Sequence, residues 1–395
     1  MRLRAKTQNL RSQIEDFGLS PTRGRHYCGR MPLSDHEKRL LDEMADAGCL
    51  WLLYSGGEIF ARPDFLDIYR HAKRRGFIVT LFTNGILINE RIADVLAEWR
   101  PFSIEITLYG RTRETYERLT GVPGSFDRCM RGIRLLRERG LPLTLKTVAV
   151  SINKHEVWDM QRFAEVELGV PFRFDAMMNP RIDCSLSPLA VRLSPEECVE
   201  FDVRDAARTT EWQTFAAKYQ GPVHTPDTEG QLYHCGGGVD SFAINPYGEM
   251  TICTLSQVDR YDLRRGSFID GWTHFLRQIR VGRRATRPTK CVSCELKAMC
   301  GMCPANGELE HGDAEATVDF LCEVAHLRAH VLGLPIPPHG PCEYCEGGTQ
   351  FGGVRAAAER LRALDGGKPS GHGRRLTVIN ATAAPAGGCG TCGHH

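Results

Sequence analysis

Between Ser34 and Asp175 the apolar positions keep two rhythms in turn, a helical one with spacings of three and four, and a short continuous one typical of buried strands. Leu40, Leu41 and Met44 share a helical face opened by Ser34, with Glu37 placed to complete a capping box. Gly48 stops that helix, and the run Cys49 to Tyr54 follows as a strand. The pattern recurs with Pro63 at a helix start, Phe65, Tyr69 and Ala72 on one face, a stop at Gly76 and a strand from Phe77 to Phe82. Asn89 caps a helix bearing Ile92, Val95, Leu96 and Trp99, with a strand from Phe102 to Leu108 after it. Ser125 begins another, bearing Phe126, Cys129, Ile133 and Leu136, which ends at Gly140 before a strand from Leu143 to Val150. A last helix, Lys154 to Leu168, stops at Gly169 ahead of a strand from Val170 to Asp175. Strands joined by helical crossovers predict a parallel sheet, open or closed into a barrel, with ligand groups on the loops after the strand C-termini.

Composition narrows the class of protein. The 395 residues suffice for one large α/β domain and a smaller one. With 50 Lys and Arg against 48 Asp and Glu, the net charge of +2 points to neither nucleic acid nor a membrane surface. No apolar run reaches the roughly 18 residues of a membrane span, and no apolar core follows the basic residues near the start, so a cytoplasmic location is expected. In a reducing compartment, 16 cysteines are expected to bind metal in large part rather than to form a disulfide scaffold.

Two regions carry candidate chemistry. Gly56-Gly57-Glu58 follows the first legible strand directly, placing two permissive backbones and a carboxylate at the sheet's C-terminal edge. A Gly-Gly pair alone reads as a plain turn. In the second half, Cys235 and Cys253 flank Gly248, and Cys291-x2-Cys294-x5-Cys300-x2-Cys303 is followed by Cys322. Pairs in CxxC spacing bring two thiolates to one metal. Cys291, Cys294, Cys300 and Cys303 suit a zinc ribbon, which leaves Cys235, Cys253 and Cys322 unused.

Ser55-Gly56-Gly57-Glu58, Arg62-Pro63-Asp64-Phe65, Thr83-Asn84-Gly85 and Thr107-Leu108-Tyr109-Gly110 resemble, in order and spacing, the radical S-adenosylmethionine (SAM) superfamily. The seven cysteines resemble its SPASM auxiliary domain, as found in peptide maturases. The resemblance implies an α/β fold, a partial (β/α)6 TIM-like barrel followed by a small Cys-rich SPASM domain. It divides the chain into an atypical N-terminal segment (1–33), a radical SAM-like partial barrel (34–180), a bridge (181–234), an iron–sulfur domain (235–333) and a flexible Cys-containing tail (334–395). By matching positions, Gly56, Gly57 and Glu58 would bind the SAM amino group, with Thr83, Asn84, Gly85, Glu105 and Lys146 along the same edge. Two auxiliary [4Fe–4S] clusters are implied, one on Cys291, Cys294, Cys300 and Cys322, the other on Cys235, Cys253 and Cys303 with one iron open. The final CxxC is one residue shorter than in many members. The implied function is radical oxidation or crosslinking of a ribosomally made peptide or protein side chain, with a reductant such as flavodoxin or ferredoxin as partner.

The family also uses SAM with a third [4Fe–4S] cluster on a CxxxCxxC loop before the glycine motif. Here that stretch contains only Cys28 and Cys49, and Met1 to Gly24 shows no strand pattern. A misassigned start or frameshift, a natural loss and non-cysteine ligands are the three explanations, and weak or absent SAM cleavage is the expectation for this chain. The alternative function is a non-catalytic iron–sulfur or zinc protein that relays electrons or binds a peptide. Arg181 and Asp183 face substrate or form a loop salt bridge. Arg277, Arg280, Arg283, Arg284, Arg287 and Lys290 form a solvated face or a dock for an acidic leader. His71, His155 and His274 read as ordinary surface or core residues. The tail's Cys342-x2-Cys345 and Cys389-x2-Cys392 are expected to be exposed.

Overall fold

A computed structural model of the chain describes residues 33–220, 230–337 and 339–364. Most of the N-terminal segment with Cys28, part of the bridge, and the end of the tail with Cys389 and Cys392 lie outside the described residues, as does the Ser34 side chain of the expected capping box. The chain divides into two compact units.

The first unit comprises described residues within 33–181, 185–194 and 263–270. Its five strands, β1 (Trp51–Tyr54), β2 (Ile78–Thr83), β3 (Ser103–Thr107), β4 (Leu143–Val148) and β5 (Phe172–Asp175), are all parallel and lie side by side in chain order. That order follows from helical crossovers, each returning the chain to the next strand position. The helices are α1 (Leu33–Asp46), α2 (Phe65–Arg74), α3 (Glu90–Glu98), α4 (Arg113–Thr120), α5 (Ser125–Glu138) and α6 (Val157–Arg162). Gly48, Gly76, Gly140 and Gly169 all take the positive φ that the helix stops require. The sequence pattern overlooked α4, a short helix capped by the Thr112 hydroxyl, which accepts from the Thr115 amide. The last expected helix is divided into a 3-10 turn, α6 and a π segment over Phe163–Glu167.

Parallel sheets commonly bury both faces and read as unbroken apolar runs. Here only one face is predominantly apolar, with Val79, Leu81, Ile104, Ile106 and Leu145 fully buried. The other carries Thr80, Glu105, Lys146, Arg173 and Asp175. Charged groups on the second face of a parallel sheet are costly in a dry core and suit a polar, ligand-holding interior.

The second unit comprises described residues within 182–184, 195–262 and 271–364. Helices α7 (Pro195–Arg204), α8 (Ala206–Tyr219), α9 (Leu276–Gly282), α10 (Lys297–Cys300), α11 (Pro304–His311), α12 (Asp319–Leu332) and α13 (Phe351–Ala363) surround little β structure. A three-stranded antiparallel sheet is formed by β6 (Ala243–Ile244), β7 (Glu249–Thr251) and β8 (Tyr261–Asp262). Helix α12 packs against α7, α10 and α13, and Leu296, Met299, Cys300, Ala325 and Ala329 share a core with Ala216 of α8. The stretch read as a bridge therefore supplies two packed helices to this unit.

The expectation of a flexible tail from residue 334 is corrected over its described part. Val354, Ala357, Ala358 and Leu361 are buried on α13 at helical spacing, and Cys342 and Cys345 are 6% and 5% exposed. Gly, Ala and Pro content suggested a linker, but small apolar residues three and four apart also make a tightly packed helix face.

Candidate cofactor edge and metal centres

Gly56 takes φ +137°, and nothing lies within 4 Å of the position a side chain there would occupy, so the backbone after β1 presents an open edge. Glu58, two residues on, is committed to neighbours. Its carboxylate accepts from the Phe60 amide at 3.2 Å, the Thr83 hydroxyl at 2.7 and 2.9 Å and the Asn84 amide at 2.8 Å. Burial raises the Glu58 pKa, opposed by these hydrogen bonds. Thr83 Oγ1 also accepts from the Gly85 amide at 3.0 Å, and Asn84 Oδ1 from the Ile86 amide at 3.0 Å. Glu58, Thr83, Asn84 and Gly85 thus form one hydrogen-bonded group next to Gly56 and Gly57, in which Glu58 ties the loop after β1 to the loop after β2. The Tyr54 hydroxyl, at the end of β1, is buried without a hydrogen-bond partner among the described residues.

Glu105 and Lys146 form a separate constellation on the polar face. Lys146 Nζ lies 3.3 Å from Glu105 Oε2, outside hydrogen-bonding geometry, and Arg173 pairs with Oε1. Burial pulls the Lys146 pKa down to about 8 against the pull of Glu105, and its ammonium sits over the Phe82 ring.

The seven expected metal cysteines separate into two groups. Cys291, Cys294, Cys300 and Cys322 line one cavity in the second unit, which His326, His339 and Cys342 also line. Burial pushes the Cys294 thiol up to about 11 and Cys300 up to about 12, with Cys291 among the neighbours that raise both further. Cys303 does not line this cavity and lies within electrostatic reach of Cys253 and Cys235, which add to burial in raising it to about 11. Cys253 Sγ accepts from the Ser256 amide at 3.3 Å and Cys300 Sγ from the Met302 amide at 3.2 Å. Beside the Cys253 group, Glu308 is held by Ser256 Oγ at 2.8 Å and by the Tyr233 hydroxyl at 3.0 Å. A ribbon on Cys291, Cys294, Cys300 and Cys303 is disfavoured, since it would need Cys303 in the first group.

The basic stretch is largely used inside the unit. Arg280 donates to the carbonyls of Cys235 and Gly237, Arg283 pairs with Asp259, Arg287 with Asp313 and Lys290 with Glu343. His71 pairs with Asp42. Sequence reasoning missed His326 and His339, which converge with Cys342 and Cys345 so that four ligand atoms lie within 4.8 Å of one another. The available signal was two histidines shortly before a CxxC, at His326-x12-His339-x2-Cys342-x2-Cys345.

Residues 21–164 match the family model described as Radical SAM superfamily. Curated relatives include an AdoMet-dependent heme synthase of Methanosarcina barkeri, 27% identical over 71% of this chain and 84% of that protein. A PqqA peptide cyclase of Rhodopseudomonas palustris is 26% identical over 76% of this chain and 80% of its own. Among solved structures, Streptococcus suis SuiB bound to S-adenosylmethionine aligns with TM-score 0.56 and 18% identity, covering 73% of this chain and 69% of that one, a likeness of fold.

Proposed function

We propose, for a chain whose residues 21–164 belong to the radical SAM superfamily, that it is an iron–sulfur protein of the SPASM type whose substrate is a side chain of a ribosomally made peptide or of a protein. The observation that carries this reading is the separation of the cysteines of the second unit into two groups, in a chain whose first unit is a parallel sheet with a polar face. Cys291, Cys294, Cys300 and Cys322 would hold one auxiliary [4Fe–4S] cluster. Cys235, Cys253 and Cys303 would hold a second with one iron open. Bound clusters of this kind take up and pass on electrons, with a flavodoxin or ferredoxin as the external reductant. The chain's own contribution is to exclude water by burial and to donate the Ser256 and Met302 amides to sulfur, both of which tune a cluster's potential.

Family membership implies SAM and a cluster that cleaves it. The open backbone at Gly56 and Gly57, braced by Glu58, fits the amino group of SAM, with Thr83, Asn84 and Gly85 beside it. Glu105 and Lys146 would line the polar face beyond. The SAM-cleaving cluster fits poorly, because residues 1–55 carry two cysteines where the family uses three in CxxxCxxC. Cys28 lies outside the described residues, and the Cys49 thiol is turned to the Trp51 carbonyl at 3.7 Å. No radical step is derived through that cluster, and little or no reductive SAM cleavage is expected of this chain. Two AdoMet-dependent heme synthases, each matching 71% of this chain, favour a tetrapyrrole as the second substrate reading.

Iron and sulfide analysis after anaerobic purification and reconstitution tests the reading. About eight of each per chain are expected, falling by about four in Cys294→Ala or in Cys253→Ala. A colourless, iron-free protein would overturn it, and 5′-deoxyadenosine formed at a peptide maturase's rate would overturn the expectation for SAM. Binding of porphyrin rather than peptide, read as a Soret shift, would move the substrate to the second reading.

A further inference from the structure

The four ligand atoms of His326, His339, Cys342 and Cys345 are buried and mutually close, and among the described residues no other group of His, Cys, Asp or Glu closes on a single ion in this way. Cys342 Sγ lies 3.5 Å from His326 Nε2, and Cys345 Sγ lies 3.7 Å from the same nitrogen. Cys345 Sγ is also 3.5 and 3.9 Å from Nδ1 and Nε2 of His339. Zinc bonds of about 2.3 Å to sulfur and 2.0–2.1 Å to nitrogen put tetrahedral ligand atoms about 3.3–3.8 Å apart, which is the scale of these contacts.

The His326 ring is oriented from behind, as metal-binding histidines are. His326 Nδ1 lies 2.7 Å from the Cys322 carbonyl, an arrangement that uses Nδ1–H as donor and leaves Nε2 to face the sulfurs. His339 Nδ1 lies 3.0 Å from the Pro337 carbonyl and is also the ring nitrogen nearer to Cys345 Sγ, so for this ring the carbonyl and the sulfur meet the same nitrogen. The Cys342–Cys345 turn is fixed by its backbone. The Cys345 amide donates to the Cys342 carbonyl, the Gly348 amide to the Cys345 carbonyl at 2.8 Å, and the Gln350 amide to the Glu343 carbonyl at 2.8 Å. A side chain at Gly348 would meet the Glu343 carbonyl oxygen at 2.3 Å, so the turn needs glycine there.

We propose that His326, His339, Cys342 and Cys345 bind one structural zinc ion, separate from any iron–sulfur cluster. Four protein ligands close the tetrahedron and leave no position for water or substrate, which marks a structural site rather than a catalytic one. Two thiolates and two imidazoles in tetrahedral array suit zinc. A two-iron centre of the Rieske kind would place the histidines on one iron and the cysteines on the other, whereas here Cys345 touches both rings. The two thiols lose their protons on binding, and no electron moves. The ion would fasten the segment after α12 to α12 itself, one helical turn beyond Cys322, so it would close one side of the cavity that Cys322 lines together with His326, His339 and Cys342.

Zinc and iron are to be counted in the whole chain purified without oxygen, and zinc X-ray absorption recorded on the same sample. One zinc per chain is expected, with two sulfurs and two nitrogens in its shell. The Cys342→Ser, Cys345→Ser double variant should lose the zinc and keep its iron. His339→Cys should retain zinc with three sulfurs, which separates loss of a ligand from loss of the fold. Absence of stoichiometric zinc, a shell of four sulfurs, zinc retained by the double variant, or iron lost with the zinc by about four per chain would each overturn the assignment. The zinc result does not depend on the substrate reading or on the number of clusters.

Discussion

Asp202 on α7 is 1% exposed and receives Arg328 Nε at 2.8 Å, Arg208 Nη2 at 2.9 Å and Trp212 Nε1 at 3.0 Å. Burial would raise its pKa, yet the attraction and hydrogen bonds of Arg328 and Arg208 outweigh it and hold the carboxyl below the usual range. Arg328 also donates to the Met299 carbonyl at 2.9 Å and lies 3.8 Å over the Trp212 ring. One guanidinium therefore joins α7, α8, α12 and the residue before Cys300. Removing one member of a buried ion network leaves the others uncompensated, a cost of about 3–5 kcal/mol. Asp202→Asn is accordingly expected to lose that much in denaturant unfolding. A loss under about 1 kcal/mol, the level of an exposed pair, would contradict the network. The sequence offered no sign of this group, because Asp202 and Arg328 are far apart along the chain and each reads as an ordinary helix-surface residue.

Among elements, α5 shows how a helix holds a loop. Gly132 stands mid-helix, where glycine costs about 1 kcal/mol relative to alanine. A methyl there would meet the Gly85 carbonyl oxygen at 2.3 Å, and Gly85 itself takes φ +78°. The helix thus backs directly onto the loop of Thr83, Asn84 and Gly85, whose other side Glu58 holds. Gly132→Ala is expected to destabilise by about 1–3 kcal/mol despite its better helix propensity, since backbone must shift to admit the methyl. Arg134→Ala, on the exposed face of the same helix, should stay within about 0.5 kcal/mol. Equal melting temperatures for the two variants would show that the loop gives way freely. Gly85 was legible as part of the Thr-Asn-Gly motif, but Gly132 was not, because its reason is a neighbour rather than its own helix.

For the whole molecule, the two units differ in what holds them. The first has a continuous sheet and an apolar layer that includes Leu81, Ile104, Ile106 and Leu145. The second has short strands, and its core includes a cysteine from the expected ligand set, Cys300. Metal binding that draws several segments together contributes to folding directly. Removing iron and zinc anaerobically is expected to raise hydrogen exchange in α10, in α12 and around Cys342, while β1 to β5 keep their protection. Uniform loss across both units, or none in either, would contradict this division. Among the described residues no helix is long and apolar enough to cross a membrane.

Local periodicity, helix stops and the spacing of Gly56-Gly57-Glu58 and Thr83-Asn84-Gly85 were enough to read the parallel sheet and its edge, because each βα unit is specified within some thirty neighbouring residues. Cysteine spacing was likewise enough to mark the second half as metal-binding. Which thiols face one another is a matter of distances between remote segments, so spacing alone left Cys303 open between a ribbon and a second group; the resemblance implied the grouping, and the tertiary structure sets Cys322 beside Cys291, Cys294 and Cys300 around a cavity that Cys303 does not line. The same holds for His326, which approaches Cys342 and Cys345 only because the chain after α12 folds back against that helix. Composition there resembled a linker, and burial decided otherwise.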